Sequence, residues 1–367
     1  MRKFIQNPLL VCLTVALLLR LAFIFAGFPY FDERWHLRED GDGYGEIAQT
    51  IREGRYDDVT RGPVYPVLVA MAGKPVVVKV VQAILDTLTC LLIYFLAGRR
   101  VWPAWLWAVY PFAIWRVAFI NKEIVVALLV AGYVWVQLRA MREKHVGWWL
   151  AAGVVLGVLN LAKPVFLVWP VVLLAFAPRR ALWTVLAMLV VIAPWTYRNW
   201  RVTGGELLPV ATERGGVTTF VGNYQATAGA WEGAGKVKWS AAVEGIKLQH
   251  AGESVVALDR TVYRAAWREV AGHMWKAGEM VVRKCWRFWF VSAAQRERVV
   301  SFVIQMLYLI AAGIGLWRAR LWSREVWLMV AVAGYVMVLH ALSYADLRMS
   351  LPVMPLVCAL VATKTRG

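Results

Sequence analysis

Long apolar stretches recur along almost the whole chain, each near the ~20 residues that carry a helix across a bilayer. Short clusters of Lys and Arg separate many of them. The pattern predicts spans at roughly 8–27, 76–97, 101–120, 123–138, 147–162, 164–178, 181–196, 299–317, 326–342 and 349–363. Residues 181–194 and 326–342 carry almost no polar face, which a helix on a soluble core would need. Two stretches fall outside the pattern, 28–75 and 197–298. The expected fold is therefore an all-α polytopic membrane protein: one integral domain over 1–367, about ten transmembrane helices and two large loops.

The cations give these spans a direction. Loops on one side hold fourteen Lys and Arg, among them Arg2, Lys3, Arg99, Arg100, Arg179 and Arg180. Short turns on the other side hold three, Lys122, Lys163 and Arg348, or four with Arg116. The positive-inside bias predicts both termini in the cytoplasm and residues 28–75 and 197–298 outside it. Such a chain belongs in a cell membrane, the inner membrane in a bacterium. The run from Leu9 to Phe28 is too long for a signal-peptide core and lacks a cleavage pattern, so it reads as a retained span.

Composition agrees, with 60% hydrophobic residues, 17% charged and a mean hydropathy of +0.55. The net charge of +18 sits mainly at membrane margins and accompanies no nucleic-acid motif, so it reads as topology and anionic lipid. Cys12, Cys90, Cys285 and Cys358 are scattered, and the five histidines show no ligand spacing. No phosphate-binding glycine loop, nucleophile elbow or zinc-protease motif occurs. No internal repeat is visible, which counts against transporters built from repeated halves.

Chemistry concentrates in the loops. Residues 28–75 hold nine of the 23 acids against six Lys and Arg, a local charge of −3 in a basic protein. Its centre is Glu39-Asp40-Gly41-Asp42-Gly43-Tyr44, followed by a predicted helix over Tyr44–Glu53 that Gly54 stops. Asp40, Tyr44 and Ala48 are spaced to share one face if the helix extends back. A carboxylate at such a helix start can take a hydroxyl proton or hold a cation. Equally, Asp42 can be the N-cap and Asp40 a turn residue. Asp32-Glu33 is a weaker pair.

Arg61-Gly62-Pro63-Val64-Tyr65-Pro66 leads back toward the membrane, and Lys122-Glu123 stands at the outer end of a span. Lys79, Gln82 and Asp86 form a polar stripe on the second span, where packing between helices is the simpler role than a transport path. Residues 197–298 carry fifteen Lys and Arg against nine acids, a charge of +6. They begin with a Gly-rich section and continue into an amphipathic helical stretch over about 255–290 that suits the membrane interface. Arg198, Lys284, Arg287 and Arg348 are outer-face cations able to meet a phosphate, though headgroup anchoring explains many such residues.

In order, these elements resemble bacterial GT-C fold glycosyltransferases, relatives of protein O-mannosyltransferases and of the lipid A aminoarabinose transferase. The resemblance rests on Asp40, Tyr44, Ala48 and Gly54; on Gly62-Pro63-Val64-Tyr65-Pro66; and on Leu161-Ala162-Lys163-Pro164. It continues through Pro194-Trp195-Thr196-Tyr197-Arg198-Asn199, Gly204, Gly215-Gly216 and Gly222-Asn223. It closes with Lys284-Cys285-Trp286-Arg287-Phe288-Trp289 and Arg348-Met349-Ser350-Leu351-Pro352. Two departures stand out: the second acid Asp42, and a chain ending just after its last span without the C-terminal domain of larger members.

The resemblance implies inverting transfer of a sugar from a polyprenyl-phosphate donor to a hydroxyl acceptor at the outer membrane face. It makes Asp40 the base, with Asp42 or Glu123 as partner or as ligand of a divalent cation such as Mg or Mn. Arg348, then Lys284 and Arg198, would meet the leaving phosphate. Tyr44, Arg61, Tyr65, Lys163 and Asn223 would line the substrate. The rival expectation is a transporter or flippase of lipid-linked glycans using the Lys79–Gln82–Asp86 stripe.

Overall fold

A computed structural model of the chain describes residues 7–30, 40, 42–143, 145–227, 234–291, 298–319 and 323–362. Asp32, Glu33, Glu39 and Gly41 of the acidic loop lie outside the described residues. Among the described residues every regular element is helical.

The first helix, α1 (Pro8–Ala22), starts where the Asn7 side chain accepts the N–H groups of Leu9 and Leu10 at 3.2 and 3.3 Å. It runs through a π-type turn to Gly27. The first long connection contributes α2 (Tyr44–Arg52) and α3 (Val64–Ala72). Gly54, at φ 75°, lets the chain leave α2 in the left-handed region that favours glycine. Next come α4 (Pro75–Leu96), α5 (Trp102–Ala108), α6 (Pro111–Arg116), α7 (Glu123–Glu143) and α8 (Val146–Ala162). After α9 (Trp169–Phe176), α10 (Pro178–Val202) is the longest helix described.

The second long connection carries α11 (Gly215–Asn223), α12 (Ala234–Gln249), α13 (Val255–Gly272) and α14 (Met274–Phe290). The last group is α15 (Arg298–Arg318), α16 (Arg324–Leu342), α17 (Leu347–Ser350) and α18 (Met354–Leu360). The expected amphipathic stretch over 255–290 is thus two helices, divided at His273.

Among the described residues six helices are long and apolar enough to cross a membrane: α1 with its extension, α4, α7, α10, α15 and α16. The chain is a helical membrane protein. Four of the ten expected spans differ from that description. The stretch 101–120 is divided into α5 and α6 before Pro111, and 164–178 becomes a short turn followed by α9, which Trp169-Pro170 begins. The stretch 349–363 is divided among α17, a tight turn and α18, with Pro352 and Pro355 at the starts of the latter two. Proline lacks an N–H and clashes with the preceding turn, so it begins helices and interrupts long ones. The fourth, α8, is a continuous but shorter apolar helix.

α8 packs against α7 and α10, and α4 against α7 and α1. At the α8–α10 crossing a Cβ on Gly153 would lie 2.3 Å from the Thr184 carbonyl oxygen. Glycine there allows the backbone approach that packs helices in lipid.

The polar stripe of α4 is dispersed among neighbours. Asp86 pairs with Arg20 of α1, both with side chains 0% exposed. The same guanidinium donates to the carbonyls of Ala16 and Ala108 at 2.9 Å and of Trp107 at 3.2 Å. Arg20 therefore covers the Ala108 carbonyl at the C-terminal end of α5 and adds a second donor to that of Trp107, which also accepts the Tyr110 N–H at 3.1 Å. Trp107 Nε1 donates to Asp86 Oδ1 at 3.1 Å. Gln82 accepts the Tyr65 hydroxyl at 2.7 Å and donates to the carbonyls of Val117 and Phe119. Lys79 lies 4.5 Å from the Phe28 ring centroid.

Candidate functional site

Asp40 precedes α2 rather than belonging to it, because Gly43 turns the chain through φ 74° before the helix begins at Tyr44. Its carboxylate then reaches forward: Oδ1 accepts the Tyr44 N–H at 2.8 Å and Oδ2 the Gly45 N–H. Asp40 is the capping carboxylate, the role open to Asp42 on sequence alone. Asp42 instead points to cations. Its Oδ2 accepts from Arg348 Nη1 at 3.3 Å, and its Oδ1 lies 3.9 Å from Arg61 Nη2.

Arg348 also lies against Glu123, at 3.5 Å from Nε to Oε1. The two carboxylates thus share one guanidinium, and the three side chains come from distant stretches: the acidic loop, the start of α7 and α17. The Glu123 side chain is 3% exposed while that of Asp42 is 23% exposed, so Asp42 is the member that solvent or a ligand can reach. Glu123 Oε2, Arg348 Nε and Arg61 Nε are buried without a hydrogen-bond partner among the described residues. Buried polar atoms of this kind are uncommon, and each keeps bonding capacity that a ligand or water could use.

Arg61 lies over the Tyr44 ring, 5.6 Å from its centroid, and its Nη2 donates to the Asp42 carbonyl at 3.4 Å. Tyr44 packs edge-on against Tyr65, ring centroids 4.6 Å apart. These two tyrosines, with Ala48, Val69 and Val78, form a small apolar cluster beneath the acidic loop. Gly62 is required by close approach, since a Cβ there would lie 2.2 Å from the Leu161 carbonyl oxygen.

Lys163, just after α8, is 8% exposed and has Met349 Sδ at 3.9 Å as a near partner. Burial chiefly pulls its ammonium down to about 8; Glu123 opposes this, while Lys122 and Arg348 add to it. It therefore sits within electrostatic reach of the Asp42–Arg348–Glu123 group.

Glu213 is the member that the sequence pattern missed. Its carboxylate pairs with Lys122, lies 3.5 Å from Arg61 Nη1 and accepts the Gly62 N–H at 3.2 Å. Burial alone would raise its pKa, but Lys122 and Arg61 outweigh that and hold it below the ordinary carboxylate value. Nothing in its Gly-rich neighbourhood, which also holds Glu206 and Arg214, singled it out.

The remaining expected residues lie elsewhere. Arg198 stacks between Trp195 and Tyr56, at 4.5 and 4.8 Å, and donates to the carbonyls of Tyr56 and Asp58. It staples the end of α10 to the first long connection. Lys284 is 2% exposed and donates to Asn223 Oδ1 at 2.9 Å and to the Ser343 carbonyl at 3.1 Å. Burial, and then Arg287, draw its pKa down to about 8. Asn223 also donates to the Leu342 carbonyl at 3.0 Å, so this pair ties α11 and α14 to the end of α16.

Among the described residues no three His, Cys, Asp or Glu side chains are grouped as a metal site. Asp40 faces backbone N–H groups and Asp42 faces two arginines, so this donor set does not fit a bound Mg or Mn ion. Comparison of the chain with protein-family models, with curated proteins and with solved structures finds no match.

Proposed function

We propose that the chain is a membrane glycosyltransferase of GT-C type. It would move a sugar from a polyprenyl-phosphate donor to a hydroxyl of an envelope lipid, glycan or protein. The observation that carries this reading is the Asp42–Arg348–Glu123 group, two carboxylates sharing one arginine at the end of the helical bundle. Inverting transfer of this kind needs a base for the acceptor hydroxyl and a cation for the departing phosphate, side by side. The positive-inside charge bias supports residues 28–75 and 197–298 on the outer side, both termini in the cytoplasm and further short helices at membrane depth.

In this reading the acceptor oxygen attacks the anomeric carbon as the bond to the lipid phosphate breaks. The hydroxyl proton passes to a carboxylate. Asp42 is the better base than Asp40, whose two oxygens hold the start of α2. Glu123, buried beneath, fixes Arg348, whose further N–H groups stabilise the leaving phosphate. Lys163 adds positive charge beside them. No step requires a metal. Lipid supplies the route by which the donor's tail reaches the site.

The rival transporter or flippase is less well supported. Its polar path would run along α4, where Asp86 is sealed against Arg20, and Gln82 against Tyr65 and two carbonyls.

The test is turnover by purified full-length protein in detergent, with a panel of polyprenyl-phosphate sugars and extracted envelope acceptors. Release of polyprenyl phosphate with transfer of the sugar is expected, and Asp42→Asn should lower it by roughly 10²–10⁴-fold. Asp40→Asn should act mainly on stability. Absence of transfer by wild-type protein across the panel would refute the proposed activity; a normal Asp42→Asn beside an inactive Asp40→Asn would refute the choice of base.

A further inference from the structure

The two long connections meet along a narrow seam beside the site. Thr212 N–H donates to the Val59 carbonyl and Glu213 N–H to the Thr60 carbonyl, both at 3.0 Å, two backbone bonds between loop stretches far apart in sequence. At the end of this contact, Glu213 and the following Arg214 adopt φ angles of 51° and 52°. Successive non-glycine residues in the left-handed region are unfavourable and persist where surrounding contacts enforce them. Here those contacts converge on one carboxylate, which meets Lys122, Arg61 and the Gly62 N–H.

We propose that Glu213 is a positioning residue of this site: it clamps Arg61 and Lys122, so that the site is complete only when the second connection is docked on the first. The inference rests on the proposed transferase reading for its catalytic consequence, but the clamp itself does not. Arg61 is shared between Glu213 on one side and Asp42 on the other. Asp42 is in turn shared with Arg348. With Glu213 neutralised, Arg61 keeps one carboxylate partner, Asp42, and competes there with Arg348. The cation meant for the leaving phosphate and the acid meant for the hydroxyl proton then lose their fixed relation. Lys122, adjacent to Glu123 in the chain, is released at the same time.

Three variants separate the carboxylate from the backbone it sits on. Glu213→Gln keeps the shape and removes the charge. Glu213→Gly removes the side chain while easing the left-handed conformation, which glycine adopts freely. Glu213→Asp keeps a shorter carboxylate. Per folded molecule, the Gln and Gly variants should each lose roughly 10- to 100-fold in kcat/KM, since a misplacement of about 1 Å can cost up to 10²-fold, and the Asp variant should recover part of it.

An independent readout is hydrogen exchange of peptides covering residues 56–63 and 210–215 in the full chain. Glu213→Gly should accelerate exchange in both and leave 123–143 unchanged. Wild-type kcat/KM in the Gln or Gly variant, or unaltered exchange at 56–63 in the Gly variant, would overturn the proposal. If wild-type protein transfers no sugar, the transferase reading fails and the exchange measurement alone decides the clamp.

Discussion

Removing the carboxylate of Asp86 gives the sharpest contrast between an enzyme and a carrier with a path through the membrane. Asp86 and Arg20 are fully buried partners on α4 and α1. Asp86→Leu leaves the Arg20 guanidinium with three carbonyls and no counter-charge. Breaking one side of a buried pair typically costs about 3–5 kcal/mol, because the surviving charge is neither solvated nor neutralised. Arg20→Leu should cost a similar amount, since it strands Asp86 and takes the guanidinium donor from the Ala108 carbonyl at the end of α5.

The double variant Arg20→Leu with Asp86→Leu removes both charges. It should therefore be less destabilised than the sum of the singles by roughly 2–3 kcal/mol, the upper range seen for residues in one network. Trp107 keeps the backbone carbonyl of residue 86 as acceptor at 3.3 Å, which limits the remaining loss. The assay is unfolding of purified protein in detergent, together with sugar transfer per folded molecule. Simple additivity of the two singles would refute the structural reading of the pair. So would Asp86→Asn with unchanged stability but abolished turnover or substrate flux.

Arg348→Ala should reduce kcat by about 10²–10³-fold, as for loss of one preorganised donor to a developing oxyanion, with Arg348→Lys recovering part; equal kcat in the Ala variant and wild type would count against the phosphate role. Asp259 of α13 accepts the Gly216 N–H at 3.0 Å, and burial raises its pKa from 3.8 to about 6 against the opposing pull of the Gly216 and Val217 N–H groups. The native state then holds the proton more tightly than the unfolded chain, so this contribution, about 3 kcal/mol, is full below pH ~4 and lost as pH rises through ~6. Asp259→Asn should flatten that fall in melting temperature between pH 4 and 7, and parallel profiles for variant and wild type would reject it. Single cysteines at Gly54 and Gly252, in a background lacking the native cysteines, should react with an impermeant maleimide in intact cells. Labelling of both only after lysis would invert the topology.

Much of the helical framework was legible locally. The apolar lengths of α1, α4, α7, α15 and α16 stand within a few residues of their sequence expectations, because a long run of nonpolar side chains needs no partner to favour a helix in lipid. The start of α2 at Tyr44 and its end before Gly54 were equally readable from turn and cap chemistry. The broken stretches 101–120, 164–178 and 349–363 were read as continuous because hydropathy averages over the prolines that divide them.

The site was legible in its ingredients and hidden in its pairings. Sequence spacing singled out Asp40, Asp42, Arg61, Glu123 and Arg348, but it could not say which acid caps α2 and which meets an arginine. That choice depends on Gly43 turning the chain, so that the Asp40 side chain meets the Tyr44 and Gly45 N–H groups and Asp42 faces away. Nor did any local pattern link Glu213 to Lys122, or Arg20 to Asp86.

Composition, charge bias and apolar periodicity, all properties of neighbouring residues, determined by themselves that this is a helical membrane protein with an acidic and a basic long connection. Only the tertiary structure decided which charges neutralise one another. Ion pairing between residues tens to hundreds of positions apart is set by how helices dock, and burial gives each pairing its energetic weight by removing the water that would otherwise screen it.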